Sequence, residues 1–213
     1  MKSKLKRFFL SIKQCHIRKN IVLKSIWAGN KYGGFYFIPE LLGEKSIIYS
    51  FGVGKDISFD KDLIHRFKCQ VFAFDPTPES IEWSKKQKFP VGFNFFEFGI
   101  AKKSKKSKFF LPNNNNHVSG SLINHSAANK ESILVQMKSF NDIVKLFNHA
   151  HVDLIKIDIE GAEYNIIDDI LSSGTVVDQI VLEVHERFFS DGRSKTKKLL
   201  SSLSQNRFFL HSV

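Results

Sequence analysis

The segment Asp-Leu-Ile-Lys-Ile-Asp-Ile-Glu-Gly-Ala-Glu, from Asp153 to Glu163, constrains the fold more than any other stretch. Leu154, Ile155, Ile157 and Ile159 form a short apolar run rich in β-branched residues. That is the pattern of a strand buried on both faces of a parallel sheet. The run stops at Gly161, and Glu163 to Leu171 reads as a helix with Ile166, Ile167, Ile170 and Leu171 on one side. Asp158, Glu160 and Glu163 therefore gather where a strand turns into a helix. In open α/β sheets ligands lie outside the carboxyl ends of the strands. Three acids packed there repel one another unless a cation, a proton or a polar substrate meets them. Glu163 is also accounted for by the favourable charge of an acid at a solvated helix N-terminus. Asp158 is not, because it lies inside the apolar run.

A second unit stands upstream. Ile47 to Phe51 is a strand that runs into Gly52-Val53-Gly54-Lys55-Asp56, and Ile57 to Phe67 follows as a helix. Glycines after a strand let the backbone turn tightly and approach a ligand. Val71 to Phe74 is the next strand, ended by Asp75, which lies 21 residues beyond Gly54. An acid at that distance is placed to accept hydrogen bonds from ribose hydroxyls. The unit also fits a nicotinamide-dependent oxidoreductase. Against that alternative, Ile57 stands where the third glycine of the dinucleotide turn belongs.

The remaining chain alternates in the same way. A helix is expected over Glu79 to Lys88 and a strand over Phe93 to Phe98, ending at Gly99. Lys102, Lys103, Lys105, Lys106 and Lys108 read as a solvated basic turn before a short strand, Phe109 to Pro112. Residues 113–121 read as a polar loop over the site, part of a 113–132 segment expected to carry specificity. Ile133 to Met137 reads as a strand and Phe140 to Phe147 as a helix. Gln179 to Val184 is another buried strand, with Glu183 and His185 at its end and Glu186 beyond. His185 suits a general base, a metal ligand or a plain polar neighbour. A helix over Ser194 to Gln205 and a strand over Arg207 to Leu210 complete the chain. Alternating strands and helices argue for an α/β sheet.

Charge divides the chain. Residues 1–31 carry nine of the 32 Lys and Arg and no acid, leaving 23 basic against 21 acidic residues elsewhere. Residues 1–28 read as an amphipathic basic helix, with Leu5, Phe8, Phe9 and Ile12 at helical spacing. Residues 1–44 are thus expected to form a basic helical arm and lead-in segment, and 45–213 the domain. The arm would pack on the domain or touch an anionic membrane surface. No apolar run reaches the roughly 18–20 residues of a membrane span, nor the roughly 7–15 of a signal peptide core. Cys15 and Cys69 are the only cysteines, too few for a disulfide framework. A cytoplasmic protein, peripheral to the membrane at most, is the expectation.

Three segments together resemble the FkbM family of S-adenosylmethionine-dependent methyltransferases: Ile48 to Gly54, Val71 to Pro78 and Leu154 to Glu163. The resemblance covers roughly residues 45 to 213. It implies a Rossmann-like class I methyltransferase sheet with helices on both faces, and methyl transfer to a hydroxyl of a sugar, glycan or small metabolite. It implies that Gly52 and Gly54 flank the methionine part of the cofactor, that Asp75 holds its ribose, and that Gly99 and Ile100 lie near the adenine. Two features depart from the class. Ser50 replaces the acid that often ends the first strand, and the chain leaves no room for the seventh, antiparallel strand. The exposed sheet edge would then be bare, covered by the arm, or paired in a homo-oligomer.

Methyl transfer to an alcohol requires alignment and removal of the hydroxyl proton. Asp158 is expected nearest the transfer point, with Glu160, Glu183 and His185 binding or deprotonating the acceptor. Mg²⁺ held by Asp158 and a neighbouring carboxylate is the alternative to a metal-free site, which is preferred. No nucleic-acid partner is expected, since the domain outside the arm is near neutral. The rival from another class is a non-catalytic methyltransferase fold that binds a polyanion or membrane through the arm.

Overall fold

The computed structural model describes residues 17–112 and 128–213. A hairpin of β1 (Ile26–Ala28) and β2 (Phe35–Phe37) comes first, followed by a 3₁₀ turn at Pro39–Leu41. Then come β3 (Ile47–Phe51), α1 (Ser58–Phe67), β4 (Gln70–Phe74), α2 (Pro78–Ser84), β5 (Phe93–Phe96), β6 (Gly99–Ile100), β7 (Lys105–Pro112) and β8 (Ala128–Lys138). The chain continues through α3 (Phe140–Phe147), β9 (His151–Ile157), α4 (Glu163–Leu171), β10 (Val176–Leu182) and α5 (Gly192–Gln205).

The main sheet has the order β10-β9-β3-β4-β5, and every neighbouring pair is parallel. In β3, Ile48, Tyr49, Ser50 and Phe51 are all buried, as a central parallel strand requires. Alternate side chains feed two cores. Tyr49, Phe51, Phe74, Ile155 and Ile157 pack under α3, α4 and α5. Ile48, Val71, Ala73 and Leu154 pack under α1 and the β1–β2 hairpin. Helices therefore cover both faces. The first core uses the abundant Phe residues: Phe51 stacks on Phe74 at 4.8 Å, and Phe96 meets Phe147 at 4.7 Å. Fully burying each such ring contributes about 1.5–3 kcal/mol. Helix ends follow local chemistry. Ser139 caps α3 by accepting from the Asp142 N–H, and Asn148 closes it in the left-handed region.

Register sets the site. Phe96, Phe74, Phe51, Ile157 and Leu182 are paired across the sheet. One residue further on, Glu97, Asp75, Gly52, Asp158 and Glu183 leave the sheet on one line. The chain moves outward from β3 to β5, then returns to β9 on the other side of β3. The β3–β9 boundary is thus the topological switch point, where ligands of such sheets bind.

Several expectations need correction. Residues 17–25 are irregular rather than helical, and 26–28 form a strand. Residues 1–16 and 113–127, with the rest of the expected arm helix and most of the expected covering loop, lie outside the described residues. Ala28 and Phe37, on the hairpin, are fully buried in the core. Lys105, Lys106 and Lys108 lie on β7, which pairs antiparallel with β8 in a second, three-stranded sheet. Gly99 and Ile100 belong to that sheet too, paired with Met137 and Lys138. Arg207–Leu210 is not a strand. Arg207 has φ +66, Phe208 N–H bonds back to Leu203 O at 2.9 Å, and Leu210 O accepts from Asn20 N–H at 2.8 Å. Among the described residues β10 and β5 are the two edges of the main sheet, and neither a sixth nor a seventh strand is present in it. No described helix is long and apolar enough to cross a membrane.

Candidate functional site

A cleft of about 410 Å³ opens over the switch point. Its floor is the glycine turn. Gly52 has φ +76, and a Cβ there would lie 1.7 Å from the Asp158 carbonyl oxygen. Only glycine lets β3 turn beneath the end of β9. Gly54, at φ +54, faces open space. Backbone bonds join the strand ends: Gly52 N–H to Phe74 O at 3.0 Å, and Asp158 N–H to Phe51 O at 3.0 Å. Buried Lys156 donates from Nζ to Gly52 O at 2.9 Å.

Asp75 is buried on the cleft wall. Its Oδ2 accepts the Gly54 N–H at 2.8 Å, and its Oδ1 accepts the Thr77 N–H at 2.9 Å and the Thr77 hydroxyl at 2.6 Å. A carboxylate offers about four acceptor positions, so about one remains for a ligand hydroxyl. Asp75 thus also braces the turn, a task that spacing alone does not reveal. Gly99 and Ile100 line the same cleft beside Phe109 and Met137. A Cβ on Gly99 would meet Met137 Cε at 2.7 Å and Pro76 Cγ at 2.9 Å.

The opposite wall carries the acids. Asp158 and Glu160 line the cleft, and Glu183 and His185 stand behind them. His185 is 1% exposed, and its ring stacks on Phe188 at 5.2 Å. Its Nε2 lies 3.3 Å from Glu160 Oε2, 3.7 Å from Glu183 Oε1 and 3.8 Å from Asp158 Oδ1. Burial favours the neutral ring, but the Glu163 hydrogen bond and the Glu163, Glu160 and Glu183 charges hold His185 above the ordinary imidazole value. Burial, reinforced by Asp158, raises Glu183 above the usual carboxylate range, against the pull of His185 and Arg187. Arg187, largely exposed, reaches Glu183 at 3.8 Å and Glu160 at 3.9 Å.

The structure therefore brings Asp158, Glu160, Glu183 and His185 together at one edge of the glycine cleft. It also changes the role of Glu163, which is 1% exposed rather than solvated. Glu163 Oε2 accepts the Gly161 N–H at 2.8 Å, and Oε1 accepts the His185 N–H at 2.8 Å and faces His185 Nδ1 at 3.2 Å. It fixes the end of β10 against the β9 turn and orients the imidazole. No periodicity marks that task, because it depends on a partner 22 residues away.

Two further features escaped sequence reading. Tyr32, Gly33 and Asp56 form part of the cleft rim, where Asp56 accepts from Asn30 Nδ2 at 2.6 Å and from Ser58 N–H at 2.9 Å. Ser50 is fully buried below the turn rather than facing the cleft, near the fully buried Asp60. Neither Asp60 oxygen meets a hydrogen-bond partner. Burial holds Asp60 above the usual carboxylate range, with the Lys156 charge pulling the other way.

A comparison with curated proteins and one with solved structures found no match. The family model of the methyltransferase FkbM domain matches residues 50–210, a span that holds the glycine turn, Asp75 and the whole acid–histidine cluster. On that match, the chain belongs to the FkbM methyltransferase domain family.

Proposed function

We propose that the protein is an S-adenosylmethionine-dependent O-methyltransferase whose acceptor is a hydroxyl of a sugar, glycan or small metabolite. The observation that carries this reading is the meeting of two devices at one switch point. A backbone cradle opens beside a carboxylate–imidazole cluster, and Asp158 belongs to both. The cleft volume, about 410 Å³, falls within the roughly 300–1,000 Å³ of small-molecule sites. The residues fit the cofactor: Gly54 presents open space where a Cβ would stand, Asp75 retains acceptor capacity, and Ile100 and Phe109 offer apolar contact.

In this reading Gly52 and Gly54 hold the methionine part, Asp75 the ribose, and Gly99 and Ile100 the adenine edge. The bound cofactor supplies a methyl group on a sulfonium, which is already a good leaving group. The chain aligns the acceptor and takes its proton. The Asp158 carboxylate accepts the hydroxyl proton, because the residue both lines the cleft and neighbours His185 Nε2. Glu160 and Glu183 accept hydrogen bonds from the acceptor's other hydroxyls. His185, held by Glu163, presents its Nε2 to the surrounding carboxylates.

The test is transfer of a labelled methyl group from the cofactor to a panel of sugars, glycans and small alcohols. Label on oxygen, reduced at least about a hundredfold in Asp158→Asn, is expected. Label confined to nitrogen or carbon acceptors would overturn the assignment.

A further inference from the structure

Four carboxylates, from Asp158, Glu160, Glu163 and Glu183, surround one imidazole, with one largely exposed guanidinium at the rim. Within this group, Asp158, Glu183 and His185 place one ligand atom each within 4.8 Å of one another. The second observation is the ring itself. His185 is 1% exposed, and Glu163 Oε1 meets both its backbone N–H and its Nδ1. Its Nε2 edge faces the acids, with the nearest oxygens of Glu160, Glu183 and Asp158 at 3.3, 3.7 and 3.8 Å.

We propose that Asp158, Glu183 and His185 Nε2 bind a borderline divalent cation of the Mn²⁺, Fe²⁺ or Zn²⁺ type, with its open positions toward the cleft. The proposal rests on the methyltransferase reading only for its purpose, which is to bind the acceptor hydroxyl and lower its pKa. The distances suit it. With bonds of about 2.1 Å, ligand atoms at tetrahedral or octahedral angles stand about 3.0–3.4 Å apart. The observed 3.7 and 3.8 Å separations from Nε2 close to that by small side-chain movements. Glu163 fills the outer position that metal-binding histidines need, a carboxylate on the far ring nitrogen that fixes the ring and raises its basicity. The imidazole sets the metal class: Mg²⁺ takes oxygen ligands, whereas Mn²⁺, Fe²⁺ and Zn²⁺ accept nitrogen. Three protein ligands leave positions open, the pattern of catalytic rather than structural sites. Another group, His151, Asp153 and Asp178, lies near the amino ends of β9 and β10. Its Asp153 oxygens already accept from Ser46 and Ile47, and His151 pairs with Asp178 at 2.9 Å. It serves as the control.

The experiment is equilibrium dialysis of the chelator-treated full chain against MnCl₂, ZnCl₂ and MgCl₂, with metal content measured and Mn²⁺ followed by electron paramagnetic resonance. One Mn²⁺ or Zn²⁺ per chain is expected, at least tenfold tighter than Mg²⁺. Affinity should fall at least tenfold in Asp158→Asn and in Glu183→Gln, and stay unchanged in Asp178→Asn. Glu183 is 44% exposed, so its variant should fold. No stoichiometric metal, equal affinity for Mg²⁺, or loss in Asp178→Asn instead would overturn the proposal. S-adenosylhomocysteine binding by the same samples separates the two readings. Cofactor binding without metal sinks only the metal site, and metal without cofactor sinks the methyltransferase.

Discussion

At the ends of β3 and β4 the cleft is built from backbone. Gly52 N–H meets Phe74 O, Gly54 N–H meets Asp75, and Gly52 O meets Lys156. At the ends of β9 and β10, one strand over, it is built from side chains that crowd like charges around His185. The first region satisfies its polar groups internally and presents a shape. The second concentrates like charges around one imidazole, which costs stability and supplies chemistry. Asp158 joins them, because its carbonyl presses on Gly52 while its carboxylate faces His185.

The largest expected effect breaks the first region. Gly52→Ala forces a Cβ to 1.7 Å from a carbonyl oxygen at positive φ, and should cost about 3–5 kcal/mol in urea unfolding. Gly54→Ala has a similar φ of +54 but open space, so it should cost only about 1 kcal/mol while weakening cofactor binding. Equal losses in the two variants would show that the close approach to β9 does not matter.

Next comes the brace of the second region. Glu163→Ala strands the buried Gly161 and His185 N–H groups, with an expected loss of about 2–4 kcal/mol. Glu163→Gln should recover part of it, since an amide oxygen still accepts. A wild-type melting curve for Glu163→Ala would show that the brace is idle. Asp158→Asn should then separate the regions. Turnover should drop at least about a hundredfold, with melting temperature and S-adenosylhomocysteine affinity close to wild type.

The smallest effect concerns Asp60, beneath the turn. Its folded value is raised above the ordinary 3.8, so the folded state favours the protonated acid. Its contribution is full below the ordinary value and is lost as pH rises through the raised one. Asp60→Asn should therefore stabilise the protein by about 1 kcal/mol at neutral pH, and the gain should vanish near pH 3.8. A constant difference across pH would contradict this.

Much of this was readable in the chain. β3, β4, β9, α1, α3 and α4 announced themselves because buried parallel strands and amphipathic helices write their environment locally. So did the gathering of Asp158, Glu160, Glu183 and His185, since strand ends at a switch point converge. What escaped depends on distant partners. Phe208, Phe209 and Leu210 look like a strand, but the left-handed Arg207 turns the chain back toward Asn20. The lysines of β7 look like a turn because an exposed strand can carry charge along its length. Glu163 looks like a helix-end acid, and only the approach of β10 makes it a buried brace.

The central claim is that the glycine cleft binds the cofactor independently of the acid cluster. Its direct test is calorimetric titration of the folded full chain with S-adenosylhomocysteine. The expected result is micromolar one-to-one binding that is kept in Glu183→Gln and lost in a folded Asp75→Ala. No binding by the folded wild-type protein, or binding that depends on Glu183 and not on Asp75, would contradict it.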